Sequence, residues 1–284
     1  MPLAPQPRVR SLPWVEVGSG PPLLLLPGLG AGAASWGPVL DRLAARYRCI
    51  AVESHDTGDA VDRVVAMADL AAGACTVLDR LGVRAAHVLG NSLGGMVAQA
   101  MAIAHPERVR SLVLAATGPG VIAVPSHPAV PWHLAAGMRG RGERRLRHFA
   151  SVFHGPATVV DHPERLRASL GGEPIPSGPA ARRQLAAALR WTSLSRLHRV
   201  VAPTLVVHGT HDRLSPALNA RLLARLIPGA RLHLLDRCGH FIITDAGDEL
   251  CVVIDRFLRS EPVTTAASRR WAATLGLQEL PAAV

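Results

Sequence analysis

A serine set among glycines, Gly90-Asn91-Ser92-Leu93-Gly94-Gly95, constrains this chain more than any other feature. A strand-like run precedes it (Arg84 to Leu89) and a helix-like run follows (Met96 to His105). Passing from strand to helix in so few residues demands a sharp turn. Small residues two before and two after the serine leave room for that turn. The turn holds the serine in strained backbone and lifts its hydroxyl above the sheet. The helix behind it aims its N-terminal amides, and its positive dipole end, at the same spot. This context reads as a nucleophile. The alternative is a glycine-rich turn that only packs a helix against a sheet.

A serine hydroxyl is a weak nucleophile until a base takes its proton, and the base needs an acid to orient it. Thr204 to His208 reads as a buried strand, and Asp212 lies in the loop just past its end. Arg231 to Leu235 is the next strand-like run, and His240 lies in the loop past that one. Polar groups beyond the ends of parallel strands can converge at one edge of a sheet. Taken singly, the alternative for Asp212 is a turn residue capping the helix that begins near Pro216, and for His240 a solvated loop histidine; taken together with Ser92, both alternatives lose ground.

The rest of the chain alternates strand and helix. Val9 to Val17 reads as a leading strand. Leu23 to Leu26 is too apolar to face water, as in a sheet covered on both faces. Pro38 to Arg46 reads as helix, Cys49 to Val52 as strand, Val64 to Leu81 as helix ending at Gly82, and Val109 to Ala115 as strand. That alternation predicts an α/β fold with a doubly wound, mostly parallel sheet. It breaks at Thr117-Gly118-Pro119-Gly120 and resumes near Pro203. The interval carries helical stretches (Glu143 to Phe153, Ala180 to Leu189) and proline-rich breaks (Pro125 to Pro131, Pro174 to Pro179).

These residues together resemble the α/β-hydrolase superfamily over about Pro21 to Leu258. The likeness rests on Leu23-Leu24-Leu25-Leu26-Pro27-Gly28-Leu29-Gly30, the serine turn, His105-Pro106-Glu107-Arg108-Val109, Ala202 to Gly209 with Asp212, and Gly239-His240. Asn219-Ala220-Arg221 and Leu226 to Leu232 are similar to small ester hydrolases and intracellular polyhydroxyalkanoate depolymerases. His55-Asp56-Thr57-Gly58 resembles a stretch of methylesterases that tailor aromatic polyketides. The resemblance implies a catalytic set of Ser92, Asp212 and His240, with an oxyanion hole at the Leu29 and Leu93 amides. It also implies a core in two parts (1–118 and 201–260), a helical lid over 119–200 and a C-terminal tail over 261–284. Trp132, Met138, Phe153 and Phe241 are the substrate-binding candidates, with His133, Phe149 and Trp191 as further large lid side chains. Two positions depart from the family pattern. Pro27 stands where a histidine is usual, which removes one amide but leaves that of Leu29. The loop Glu53 to Asp59 is acidic and lacks the usual arginine; within it, His55 and Asp56 read either as a second acid–base pair or as a solvated turn.

Composition narrows the partners. All 31 basic residues are arginine, and the formal net charge is +10. Lysine-free, alanine-rich usage is expected of a GC-rich bacterial coding sequence. The arginines are spread out and no nucleic-acid-binding motif accompanies them, so nucleic acid is not an expected partner. An acidic substrate, or an anionic partner on the dense run Arg139 to Arg147, fits better. Cysteines 49, 75, 238 and 251 form no close pair and lack zinc spacing. Cys49 and Cys75 read as core residues, and Cys238 as a bystander or a reactive thiol. No apolar run approaches a membrane span and no signal peptide is evident, so a cytoplasmic location is expected. No metal or organic cofactor is implied, and the sequence leaves oligomeric state open.

The expected activity is therefore hydrolysis of a small-molecule carboxylic ester through an acyl-enzyme. Thioesterase, lactonase, carbon–carbon hydrolase, cofactor-free haloperoxidase or acyltransferase chemistry uses the same constellation. A lyase or cyclase using His240 as base, or a non-catalytic binding module, are the rivals from other classes.

Overall fold

The computed structural model describes residues 12–53, 66–120, 123–170 and 178–259. The chain begins with β1 (Trp14–Val17), β2 (Pro22–Leu26), α1 (Gly37–Ala44) and β3 (Arg48–Val52). It continues with α2 (Met67–Arg80), β4 (Ala86–Asn91), α3 (Leu93–Ala104) and β5 (Val109–Ala115). Five helices follow among the described residues: α4 (Val130–Arg139), α5 (Gly142–Phe153), α6 (Pro156–Val159), α7 (Pro163–Leu170) and α8 (Pro179–Leu189). Alternation then resumes with β6 (Thr204–Gly209), α9 (Leu218–Leu226), β7 (Arg231–Leu235), α10 (Ile242–Asp245) and α11 (Gly247–Arg259).

The strands form one sheet in the order β1-β3-β2-β4-β5-β6-β7, parallel throughout except for β1, which runs antiparallel to β3 at one edge. The connection reverses direction across the sheet between β2 and β4. Loops at the carboxyl ends of strands beside such a reversal open a crevice. Side chains alternate along β2. Leu24 and Leu26 join α2, α3 and α9 in one apolar layer, while Leu23 and Leu25 join α1 and α11 in the other. Both faces are covered, which explains a strand of four consecutive leucines.

The expected elements are found, with local differences. The leading strand is short and begins at Trp14; Val9 to Ser11 lie outside the described residues, as do His55, Asp56 and the tail beyond Arg259. The proline-rich stretch near 125–131 is not wholly a break. Helix α4 starts at Val130 with Pro131 in its first turn, where a missing N–H leaves no helical bond unmade.

Helices α4 to α8 are inserted between β5 and β6, and buried polar contacts close the insertion at its base. Gln99 of α3 donates to the Gly118 carbonyl at 3.0 Å and accepts the Ser193 hydroxyl at 2.6 Å. The Ser193 amide donates to Pro119 O at 2.8 Å, so the outgoing and returning strands of chain are tied together. The insertion has its own small core of Val130, Phe149, Ala150, Val152 and Phe153, against which Leu214 and Phe241 of the core loops pack.

Candidate active site

Ser92 bridges β4 and α3 with φ 53° and ψ −116°. A non-glycine residue there carries about 1–3 kcal/mol of strain and persists only where its surroundings enforce it. Here the glycines enforce it by closeness. A Cβ on Gly90 would lie 2.4 Å from Gly94 O, and one on Gly94 would lie 2.0 Å from Leu26 O. The first turn of α3 therefore presses directly on β4 and on the loop after β2. The Ser92 amide is anchored on Ala115 O at 2.9 Å, and Thr117 donates its hydroxyl to Ser92 O at 2.7 Å.

The loops after β6 and β7 bring two more groups to this serine. Ser92 Oγ lies 2.9 Å from His240 Nε2, and His240 Nδ1 lies 2.7 Å from Asp212 Oδ2. A carboxylate only accepts, so His240 Nδ1 carries the proton and Nε2 presents its lone pair to the serine hydroxyl. Asp212 and His240 are buried, and Ser92 is half-buried.

The environment of Asp212 keeps it ionised. Its Oδ1 accepts the Ser215 amide at 2.7 Å, so it also shapes the turn before α9. Its Oδ2 accepts from His240 and lies 3.2 Å from Nε2 of His208, the penultimate residue of β6. His208 Nε2 also lies 2.6 Å from the Ser215 carbonyl. A carbonyl accepts only, so the His208 proton is on Nε2 and is shared between Ser215 O and Asp212. Burial by itself would push the Asp212 carboxyl up. The charge of His240 and the hydrogen bonds from His208 and His240 outweigh burial and hold it well below the usual carboxylate range.

The two amides expected to form an oxyanion hole are those of Leu93 and Leu29. Leu93 is the first residue of α3, where the helical ladder offers no acceptor. Leu29 lies in a turn closed by the Ala31 amide on Gly28 O at 3.1 Å, with Gly30 at φ 60°. Gln184 of α8 accepts the Gly30 amide at 2.9 Å and so braces this turn from the insertion. Gly28 lies beside the serine, where a Cβ would make an ordinary contact of 3.6 Å with Ser92 Cβ.

Of the large side chains expected around the site, Phe153 and Phe241 reach it. Their rings stack at 4.7 Å and lie 6.5 and 6.4 Å from the His240 ring. Trp132 and Met138 are not brought there. They are 62% and 66% exposed, and Trp132 meets the rings of His133 and His148 edge-on. The inward stripe of α4 is instead Val130 and Gly137, the latter against Phe149. Phe149 is buried within the insertion. Cys238 is buried, and burial, with Asp245 next in weight, pushes its thiol up to about 12, which leaves it protonated and inert. Cys49 and Cys75 are buried as expected. Among the described residues no His/Cys/Asp/Glu group is placed to hold a metal ion, and no helix is long and apolar enough to cross a membrane.

Four residues near the site carry no signal that sequence inspection singles out: His208, Gln184, His154 and Asp245. Asp245 follows His240 by five positions, and His208 precedes Asp212 by four, and those spacings are the only clues in the chain.

A doubly wound sheet with a strained serine after a central strand, and a histidine and aspartate past later strands, defines a hydrolase class. A family model for the α/β-hydrolase fold matches residues 21–246. The chain belongs to the α/β-hydrolase family. It is 34% identical over 251 residues to a poly(3-hydroxyalkanoate) depolymerase of Ectopseudomonas oleovorans, covering 84% of this chain and 85% of that protein. It is 28% identical over 249 residues to a pimeloyl-[acyl-carrier protein] methyl ester esterase of Aeromonas hydrophila, covering 85% and 96%. The enol-lactonase of Burkholderia xenovorans superposes with a TM-score of 0.73 at 20% identity, over 88% of this chain and 96% of that one.

Proposed function

We propose that this hydrolase cleaves a carboxylic ester through an acyl-enzyme, with Ser92 as nucleophile, His240 as general base and acid, and Asp212 as its orienting acid. The observation that carries this reading is the unbroken line of hydrogen bonds from Ser92 Oγ through His240 to Asp212, at 2.9 and 2.7 Å. Ser92 Oγ attacks the ester carbonyl while its proton passes to His240 Nε2. The imidazolium that forms is stabilised by the Asp212 carboxylate. The carbonyl oxygen becomes an oxyanion held by the Leu29 and Leu93 amides, each worth about 3 kcal/mol or more of barrier lowering. His240 then returns the proton to the departing alcohol. Water, deprotonated by the same nitrogen, releases the acid. Phe153 and Phe241, contributed by the insertion and the histidine loop, form an apolar wall beside the base, which suits an uncharged part of the substrate. The methyl ester esterase among the relatives is named for the same bond type.

The test begins with a fluorophosphonate, intact-protein mass and mapping of the modified peptide, followed by a panel of p-nitrophenyl esters. A single adduct on Ser92, and loss of ester turnover in Ser92→Ala, are the expected results. A folded protein that takes no adduct and turns over no ester, or a Ser92→Ala variant that keeps its turnover, would refute the reading.

A further inference from the structure

A second buried hydrogen-bonded set lies behind the first. Asp245, at the end of α10, accepts His154 Nδ1–H on Oδ1 at 2.6 Å. Its Oδ2 accepts two backbone amides, Gly155 at 2.8 Å and Gly239 at 2.7 Å. His154 Nε2 lies 2.8 Å from Ser169 Oγ, and the His154 and Asp245 side chains are fully buried. No solvent reaches this carboxylate, so these three donors supply the hydrogen bonds that water would otherwise give it.

Its bonds join two parts of the fold that are far apart in sequence. His154, Gly155 and Ser169 belong to the insertion; Gly239 is the residue before His240. The residue after His240 is tied as well, because the Phe241 amide donates to Phe153 O at 2.8 Å. One step earlier, the Ala157 amide donates to Arg237 O at 3.0 Å. The two segments lie nearly backbone to backbone. A Cβ on Gly155 would fall 2.1 Å from Arg237 O, and one on Gly239 would fall 2.5 Å from the His154 carbonyl carbon. The His154 ring also meets the Phe241 ring edge-on at 5.3 Å. His240 is thus bracketed on both sides by bonds to the insertion.

We propose that Asp245, with His154 and Ser169, is a positioning device that sets the loop carrying His240. This rests on the reading of His240 as the general base. A second serine hydrolase site is not what the geometry describes, since both acid and imidazole side chains are sealed from solvent. The device matters because His240 Nε2 must stay in line with Ser92 Oγ. Asn at position 245 has one acceptor oxygen for three donors: turned to the glycines it meets His154 with an NH2 and drives that ring's proton to Nε2, and turned to His154 it sets an N–H against both glycine amides, so the tie between insertion and loop is altered in either orientation.

The test compares Asp245→Asn, His154→Phe and Ser169→Ala with the wild type. The readouts are circular dichroism, fluorophosphonate acylation rate, kcat and KM on a p-nitrophenyl ester, and the low-field proton resonance of His240 Nδ1–H. For folded Asp245→Asn and His154→Phe, kcat and acylation fall about 10- to 100-fold, as for other outer-shell partners of a reacting group. KM stays within about threefold, and the resonance shifts or broadens, a pattern that general loss of stability does not produce. Ser169→Ala, at the outer end, has the smallest effect. If Asp245→Asn does not fold, His154→Phe decides, because it leaves every backbone bond to Asp245 in place. Wild-type kcat, acylation and resonance in a folded variant overturn the proposal. If the wild type itself takes no label and turns over no ester, the hydrolase reading fails, and the resonance alone then judges the positioning device.

Discussion

Replacing Asp212 by Asn is the sharpest perturbation of the site, because the surrounding donors dictate its outcome. The carboxylate accepts the rigid Ser215 amide on one oxygen, at 2.7 Å. The other oxygen faces His240 Nδ1 at 2.7 Å and His208 Nε2 at 3.2 Å. Asn brings one oxygen and one NH2. With the oxygen toward the histidines, the NH2 meets the Ser215 N–H head-on. With the oxygen toward Ser215, the NH2 meets both imidazoles. His240 then relieves the clash by moving its proton to Nε2, and that nitrogen can no longer accept from Ser92. The second orientation is favoured, since a ring proton moves more readily than a backbone amide. The charge that stabilises the imidazolium is lost in both. A wrong tautomer of this kind lowers kcat by about 10⁴, or about 5.5 kcal/mol of barrier. The assay is ester turnover and fluorophosphonate acylation of Asp212→Asn beside wild type, with circular dichroism to confirm the fold. Turnover within tenfold of wild type would show that Asp212 does not set the tautomer of His240.

Other consequences follow from the same contacts. His208→Phe removes one donor from Asp212 and leaves Ser215 O without its partner; kcat is expected to fall about tenfold, with a loss of about 1–3 kcal/mol in urea unfolding. Gln184→Leu leaves the Gly30 amide unbonded and loosens the turn that holds Leu29, so kcat falls while KM for a p-nitrophenyl ester changes little. His87 in β4 has its pKa lowered to about 4 from an ordinary 6.5, chiefly by burial and then by Arg110. Its neutral form is favoured by folding, so the unfolded chain takes up the proton first. Stability is full above about 6.5 and drains away as pH falls toward 4, at up to ~1.4 kcal/mol per pH unit. His87→Leu should flatten the melting temperature across that window, and an unchanged slope would place the sensitivity elsewhere. Asp212, depressed below 3.8, adds its own loss only at lower pH.

What was legible in the sequence depended on local causes. The serine turn shows itself because one of its glycines is demanded by a contact four residues away, Gly90 against Gly94, while Gly94 itself is pressed by the distant loop after Leu26. The strand from Val109 to Ala115 is readable from its second half, Leu112 to Ala115, which is buried and apolar, although Arg110 and Ser111 interrupt the run. Asp212 and His240 could be singled out by their place past strand ends, though nothing in their own neighbourhoods says that they meet. Nothing in the sequence marks Trp132 and Met138 as exposed, because size does not tell which face of a helix is inward. Only the pairing of Val130 and Gly137 with Phe149 settles that for α4. His154 and Asp245 were invisible for a different reason: they are 91 residues apart, and no local pattern encodes a contact across the insertion.

These long-range ties determine how the insertion can move. Gln184 holds the Leu29 turn, Phe153 O holds Phe241, and Asp245 holds both Gly155 and Gly239. Swinging the insertion away as one body would break the His154 and Gly155 bonds to Asp245, along with the Phe241 amide to Phe153 O and the Ala157 amide to Arg237 O, and would expose a buried carboxylate. At about 1.5–3 kcal/mol for each of the two bonds to a charged group and about 0.5–1.5 for each backbone bond, that opening costs on the order of 5 kcal/mol or more. With a tenfold factor for every 1.4 kcal/mol, fewer than about one molecule in 10³ would be open at any moment. Substrate is therefore expected to enter by local movement of side chains and loops while the hinge segment 153–157 stays docked. Native-state hydrogen exchange resolves the two routes. The Gly155 and Gly239 amides should exchange at least about 10³-fold more slowly than an unprotected amide, and addition of an unreactive ester analogue should leave them unchanged. Weak protection at both glycines that rises together when the analogue binds would mean that the whole insertion swings, and that the ties to Asp245 form only in the closed state.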